Sequence, residues 1–267
     1  MQFKNLFTPT KFFILSFVLP LVFLAGCSDD NDGADPKEDF NPNGILNKKN
    51  VGESARDLLS AENFTKVIIE VQYAQGFEPT ATAVNNLKSF VEQRLNKPGG
   101  IILKQSAIAA PGKTSYSAAE IAALEDKNRK EFTRPDTMAV YFFFADSKYS
   151  EDTDNSKILG IAYRNTSMAL FERTIQDLSG GLTQPEQSRL ESVVLQHELG
   201  HILGLVNAGT AMVTNHQDAP HGRHCTNTNC LMHYTVETGN VVQNLLDGNL
   251  PQLDANCLSD LRANGGK

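Results

Sequence analysis

The apolar positions of the chain fall into two rhythms. Residues 66–73 (KVIIEVQY) are β-branched and apolar almost throughout, the pattern of a buried strand. Residues 81–95 place Val84, Leu87, Val91 and Leu95 at helical spacing, and Pro98-Gly99-Gly100 ends the run. Ile101-Ile102-Leu103 predicts a short second strand. Residues 117–130 predict a helix with Ser117 as N-cap and Glu120 three residues on, a capping box. Residues 138–145 (MAVYFFFA) carry the strongest strand pattern in the chain. Residues 158–163 and 167–171 form a further pair joined by Arg164-Asn165-Thr166. This alternation indicates an α/β or α+β domain around one mixed sheet.

A second helix signal follows. Thr183-Gln184-Pro185-Glu186 reads as another capping box, with Thr183 as N-cap and Pro185 tolerated in the first turn. The helix is expected to run to Leu203, with Gly204 as its stop. Beyond it Gly, Asn, Asp and Thr dominate up to Asn240 and regular structure fades. At the other end, residues 28 to about 60 are poor in apolar side chains and rich in Asp, Asn, Gly, Pro and Lys, which predicts a linker, with the globular domain starting near Thr65.

The first residues are of another kind. Lys4 and Lys11 precede an apolar run, Phe12 to Ala25, interrupted only by Ser16 and Pro20; it is short for a membrane span and suits a signal-peptide core. The run ends in Leu24-Ala25-Gly26-Cys27, which resembles the lipobox of bacterial lipoproteins. That resemblance implies cleavage before Cys27 and lipid attachment to it; an ordinary secretory signal cut near Ala25-Gly26 is the other reading. Ser28-Asp29-Asp30-Asn31-Asp32 is similar to the export signals of some Bacteroidetes surface lipoproteins. The expected organisation is a signal peptide over 1–26, a lipid-anchored flexible tether over 27–60 and a catalytic domain over 61–267. The expected location is the bacterial outer membrane, at the cell surface or otherwise on its periplasmic face. The chain has 267 residues, 40% hydrophobic and 21% charged, an ordinary globular composition. A net charge of -7 argues against a nucleic-acid partner, which would normally leave a basic footprint.

The chemistry is carried by His197-Glu198-Leu199-Gly200-His201. Residues four apart on a helix share a face, so His197 and His201 can offer ring nitrogens to one zinc ion, with Glu198 beside them. Glu198 is then placed to take a proton from an attacking water and pass it to a leaving amine. The three residues fit one reaction, metal-assisted hydrolysis of an amide. With six histidines in the chain, HExxH arises by chance only about 0.01 times. Gly200 and Gly204, poor helix formers, suggest close packing and a sharp turn.

Residues 197–204 read HExxHxxG and so resemble the start of the metzincin signature HExxHxxGxxH. The third-ligand position of that signature is Asn207 here, so a third ligand has to come from elsewhere. His224-Cys225, then Cys230 and Met232, read HC-x4-C-x-M, which is similar to a segment of archaemetzincins. The resemblance implies an insertion between Gly204 and His224, with His224 as third zinc ligand; His216 and His221 are rivals within it. It also implies Met232 as the floor beneath the metal. Met232-His233-Tyr234 resembles the Met-turn of astacins, in which the tyrosine supports the metal or the oxyanion, and Tyr234 is either such a catalytic donor or a packing residue. The fold implied is a metzincin-like single catalytic domain of α+β (α/β-like) type. It would have a mixed, mostly parallel sheet, an active-site helix and a loop-rich C-terminal subdomain.

Archaemetzincins hold a second zinc with four cysteines. With Cys27 assigned to lipid, this chain keeps Cys225, Cys230 and Cys257, so a second zinc is not expected in an oxidising compartment. A Cys225–Cys230 disulfide is expected instead, with Cys257 unexplained. In metzincins an extended substrate pairs with an edge strand above the active-site helix, and residues 158–163 are the candidate here. The leading reading is a zinc-dependent endopeptidase of extracellular proteins or peptides; a peptidase-fold surface binding or adhesion lipoprotein without turnover, and a zinc hydrolase of non-peptide amides, are the alternatives.

Overall fold

The computed structural model describes residues 45–238, 241–246 and 250–267. The expected signal peptide, the lipid-attachment Cys27 and the first part of the tether lie outside the described residues. The helices and strands in chain order are α1 (Ala55–Leu59), β1 (Lys66–Ala74), α2 (Ala81–Arg94), β2 (Gly100–Ile108), β3 (Ser115–Tyr116), α3 (Ala118–Asn128) and β4 (Thr137–Phe144). They continue with β5 (Lys148–Tyr149), β6 (Gly160–Arg164), β7 (Ser167–Leu170), α4 (Glu172–Asp177), α5 (Gln187–Ile202), α6 (Val241–Leu245) and α7 (Ala255–Ala263).

The main sheet has the order β2-β1-β4-β7-β6. All pairs are parallel except β6 with β7, which is antiparallel and tight enough to be joined by a short turn. The fold is therefore α/β in character, with a mixed, mostly parallel sheet. β4 is buried along its whole length, which explains why its sequence is apolar without alternation. Met138, Val140, Phe142 and Phe144 point into the larger core with α2 and α5, while Tyr141 and Phe143 join Tyr116 and Ile121 on the other face. β6 is the edge strand next to α5. This topology sets a long buried helix under an open sheet edge.

Four expectations change. The domain begins earlier than residue 61: a 3-10 turn at Ile45–Asn47 and helix α1 belong to it, with Leu58 and Leu59 fully buried. Asn47 is buried as well, donating to the Ala139 carbonyl at 3.1 Å and accepting the Thr133 amide at 3.0 Å. The ammonium of Lys97 closes the segment after α1, bonding the carbonyls of Asp57, Ser60 and Phe64. These contacts are polar, which is why the segment reads as linker. β2 runs five residues past Leu103, because Lys104 and Gln105, exposed on the edge strand of the sheet, and the half-buried Ser106 hide the pattern. The 117–130 helix ends at Asn128, with its Ser117–Glu120 capping box formed. Helix α5, which carries His197 to His201, starts at Gln187, without the Thr183 cap. Residues 180–185 fold on themselves instead, through the Gly180 amide to the Pro185 carbonyl (2.9 Å) and the Gly181 amide to the Gln184 side chain (3.0 Å).

Candidate metal centre

α5 is buried without interruption from Leu190 to Ile202, so everything it presents inward is desolvated. Both histidines and the glutamate of its last two turns lie there: His197 is fully buried, Glu198 and His201 nearly so. The helix ends at Ile202, and Gly204 takes φ +83°, the left-handed conformation that turns the chain away. The chain passes Asn207, whose side chain is exposed beside Gln217, and returns to set His224 against the helix.

The three imidazoles of His197, His201 and His224 meet as a cluster. Their ring centroids are 4.8, 5.3 and 5.0 Å apart. His197 Nδ1–H donates to the Leu231 carbonyl (2.7 Å) and His224 Nδ1–H to the His221 carbonyl (2.6 Å). A carbonyl only accepts, so both rings carry their proton on Nδ1 and turn a bare Nε2 lone pair inward. His197 Nε2 and His201 Nε2 are 3.1 Å apart. Burial pushes His197 down to about 4 and His201 well below the ordinary histidine range, the latter helped by its neighbours His197, His224 and Arg223. Rings that stay neutral are rings that can ligate. His224 is shifted up, because hydrogen bonding and charge from Glu237 outweigh its burial.

A fourth donor completes the group. Glu237 Oε2 lies 3.4 Å from His224 Nε2 and 3.9 Å from His197 Nε2, and donor atoms of all four residues lie within 4.8 Å of one another. His224 Nε2 is buried with no aligned hydrogen-bond partner; its approach to Glu237 is an ion-pair distance without donor geometry. An orphaned buried nitrogen among bare imidazoles is what a cation would satisfy. For a donor distance of about 2.0–2.1 Å, the edge of a tetrahedron is about 3.3 Å. The observed separations of 3.1, 3.4 and 3.9 Å bracket it, so the residues present fit zinc.

Glu198 lies on the same cleft, which has a volume of about 250 Å³ and is lined by Val51, Ile161, Ala162, His201, Arg223 and His224 besides the two glutamates. Burial and the charge of Glu237 raise the Glu198 carboxyl well above the ordinary range, against a backbone hydrogen bond at Ala162. Its Oε1 has no partner, and Gly160 of β6 packs against its side chain. The edge strand thus crosses directly over the helix that carries the acid. Met232 is fully buried against Gly200 of α5; its amide donates to Cys230 Sγ and its carbonyl accepts the Cys225 amide at 2.7 Å.

Two rivals fall elsewhere. His221 is on the surface, donating to Asp218 at 2.7 Å. Tyr234 stacks on the His221 ring at 3.6 Å between centroids and is not among the residues lining the cleft. After the 3-10 turn at Tyr234–Val236 it is Glu237, and not Tyr234, that lines the cleft. No spacing in the sequence marks Glu237.

His216 belongs to a second cluster. Its Nε2–H donates to Asp260 of α7 (2.9 Å), and its Nδ1 faces Cys225 Sγ at 3.3 Å. Donor atoms of His216, Cys225, Asp254 and Cys257 lie within 4.8 Å of one another. Cys230 Sγ is 3.6 Å from Cys257 Sγ and accepts the amides of Met232 and Asp254. The expected Cys225–Cys230 disulfide is not formed: all three cysteines are free and buried, because the Asp254 cap at the start of α7 brings Cys257 into the same pocket. Hydrogen bonds from Cys225 and Cys257 pull the Cys230 thiol down to about 4. Two of the three cysteines are joined there by a histidine and an aspartate, with the Asp260 carboxylate behind the imidazole.

No family model matches the chain, and no curated protein does. Among solved structures, an archaemetzincin from Methanopyrus kandleri superposes with a TM-score of 0.48 at 18% identity, covering 75% of this chain and 96% of that one. Metalloproteinase-II from Bacteroides fragilis gives 0.43 at 13% identity, over 84% of this chain and 58% of that one, so this chain spans less than two thirds of its length. At these values neither likeness carries a conclusion about activity, which rests on the side chains.

Proposed function

We propose that the protein is a metzincin-like zinc endopeptidase that cleaves extracellular proteins or peptides, tethered to the outer membrane by lipid on Cys27. The observation that carries this reading is the meeting of His197, His201 and His224 with Glu198 in one cleft beneath the open edge of β6. His197, His201 and His224 would hold the ion. A zinc ion supplies Lewis acidity there and lowers the pKa of water toward 7.

The chain's own residues do the rest. An extended peptide pairs with the outer edge of β6, and backbone hydrogen bonds align it with little demand on sequence. Alignment at residues 160–162 sets the scissile amide over Glu198. The Glu198 carboxylate takes the proton of the attacking water and delivers it to the leaving nitrogen; its buried position and raised affinity for a proton suit this shuttle. Arg223, on the cleft wall, carries a cationic side chain toward the negative charge that develops on the carbonyl oxygen. The His216, Cys225, Asp254 and Cys257 set would hold a second, structural ion, pinning the loop that carries His224 to α7.

Metal content and casein or gelatin cleavage, measured on the mature chain and on Glu198→Ala, test the reading. Glu198→Ala should keep its zinc and lose about 10²–10⁴-fold in rate. If both forms bind zinc at the cleft and neither cleaves, the surface binding lipoprotein takes its place.

A further inference from the structure

We propose that Glu237 is a fourth protein donor that closes the centre in the resting state and must swing away before substrate can be attacked, so that the enzyme is latent by its own carboxylate. The proposal rests on the reading of the histidine cluster as a zinc centre. Three observations carry it.

The first is geometric. Glu237 Oε2 stands 3.4 and 3.9 Å from the inward nitrogens of His224 and His197, against about 3.3 Å for the edge of a tetrahedron of donors about 2.0–2.1 Å from zinc. The carboxylate would supply the fourth donor, the position that catalytic zinc sites leave open and structural sites fill.

The second is electrostatic. His197 and His224 spend their Nδ1 protons on the carbonyls of Leu231 and His221, which leaves their Nε2 atoms facing a carboxylate oxygen across 3.9 and 3.4 Å. A positive charge between the carboxylate and the two nitrogens satisfies all three groups at once in a buried site. The arrangement is one that a shared ion stabilises.

The third concerns which donor can leave. The side chains of His197 and His224 are 0% and 8% exposed, that of Glu237 27%. Glu237 also sits on a short 3-10 turn rather than on the packed helix. Its carbonyl accepts the Leu159 amide at 2.8 Å, and Thr238 bridges Ile158, the residues that lead into β6. A peptide pairing along β6 therefore presses on the backbone that positions Glu237. Substrate docking and release of the carboxylate are linked through residues 158–160.

Zinc affinity, measured by chelator competition, and acetohydroxamate affinity, read from the visible spectrum of the cobalt-loaded protein, test this on the full mature chain. Glu237→Gln and Glu237→Ala should each bind zinc at least about tenfold more weakly, since loss of even an outer-shell partner costs about 10–100-fold. Acetohydroxamate should bind both variants at least about tenfold more tightly, because it no longer competes with a protein carboxylate. Unchanged affinities for both probes overturn the proposal. His224→Ala separates the two readings: if it weakens zinc binding while the Glu237 variants do not, only the latch falls, and if it too binds zinc like the wild type, the histidine centre itself is wrong.

Discussion

Gly200 and Met232 are in van der Waals contact across the helix–loop junction, so closely that a Cβ on Gly200 would stand 2.3 Å from Met232 Sδ. A glycine inside a helix costs about 0.5–1 kcal/mol relative to alanine, and this one is explained by the methionine that it admits. Gly200→Ala should therefore destabilise the protein despite its better helix propensity, by about 1–3 kcal/mol as in other overpacked cores. Because Met232 hydrogen-bonds the backbone of Cys225, the residue after His224, zinc affinity at the cleft should fall too. Thermal melts and chelator competition check both. A more stable variant with unaltered zinc binding removes the packing argument.

The three loop histidines have separate surroundings and should separate in function. His224 faces the cluster, His216 faces Cys225 and Asp260, and His221 lies on the surface against Tyr234. His224→Ala should lose metal from the cleft more severely than the about 10–100-fold typical of an outer-shell loss, and cleavage with it. His221→Ala should keep its zinc and most of its rate. Equilibrium dialysis with each purified variant decides; a His221→Ala protein without zinc at the cleft contradicts the placement.

What could be read beforehand follows from the range of the signals. His197, Glu198 and His201 are legible because a spacing of four has one meaning on a helix. Gly204 signals the turn for the same local reason. His224 could only be weighed against His216 and His221, since residues 205–223 have no periodicity and their path is set by tertiary contacts. Glu237 and Asp254 are donors only because a 3-10 turn and a helix cap deliver them, and neither has a ligand spacing. The start of the domain was hidden for a different reason. Asn47 and Lys97 satisfy buried polar groups, so the segment packs without looking apolar. The Thr183 box matched its pattern and was overridden by the turn at 180–185.

The sulfur cluster leads to a count. If it holds an ion, the wild type should carry about two zinc ions per chain, and Cys257→Ser about one, with the cleft ion retained. Asp260 hydrogen-bonds His216 from behind, so Asp260→Asn should weaken the second site about 10–100-fold without touching a first ligand. Both variants should melt at lower temperature, since α7 is joined to the loop through this pocket. Metal analysis against protein concentration settles it: one zinc in the wild type, unchanged by Cys257→Ser, rules the second ion out.

Glu172 and Glu191 are fully buried side by side between α4 and α5, and their titration should be visible in stability. Glu191 accepts the Thr80 amide (2.9 Å) and hydroxyl (2.5 Å) and a bond from Gln187, whose amide also donates to Glu172 Oε1 at 2.8 Å. Glu172 Oε2 then has no donor, so the stable arrangement keeps the Glu172 carboxyl protonated. Burial, and then the charge of Glu191, push Glu172 up to about 10. The folded state holds a proton that the unfolded chain releases near 4.5, so this contribution is complete below about pH 4.5 and is lost as pH rises toward 10. Glu172→Gln puts a permanent donor in the same place and removes that loss. The variant should match the wild type near pH 5 and exceed it at pH 9 by about 1–3 kcal/mol, the cost of an unsatisfied buried group. Urea melts at the two pH values read the difference directly, and a variant that is no more stable than the wild type at pH 9 shows that Glu172 is not protonated in the fold.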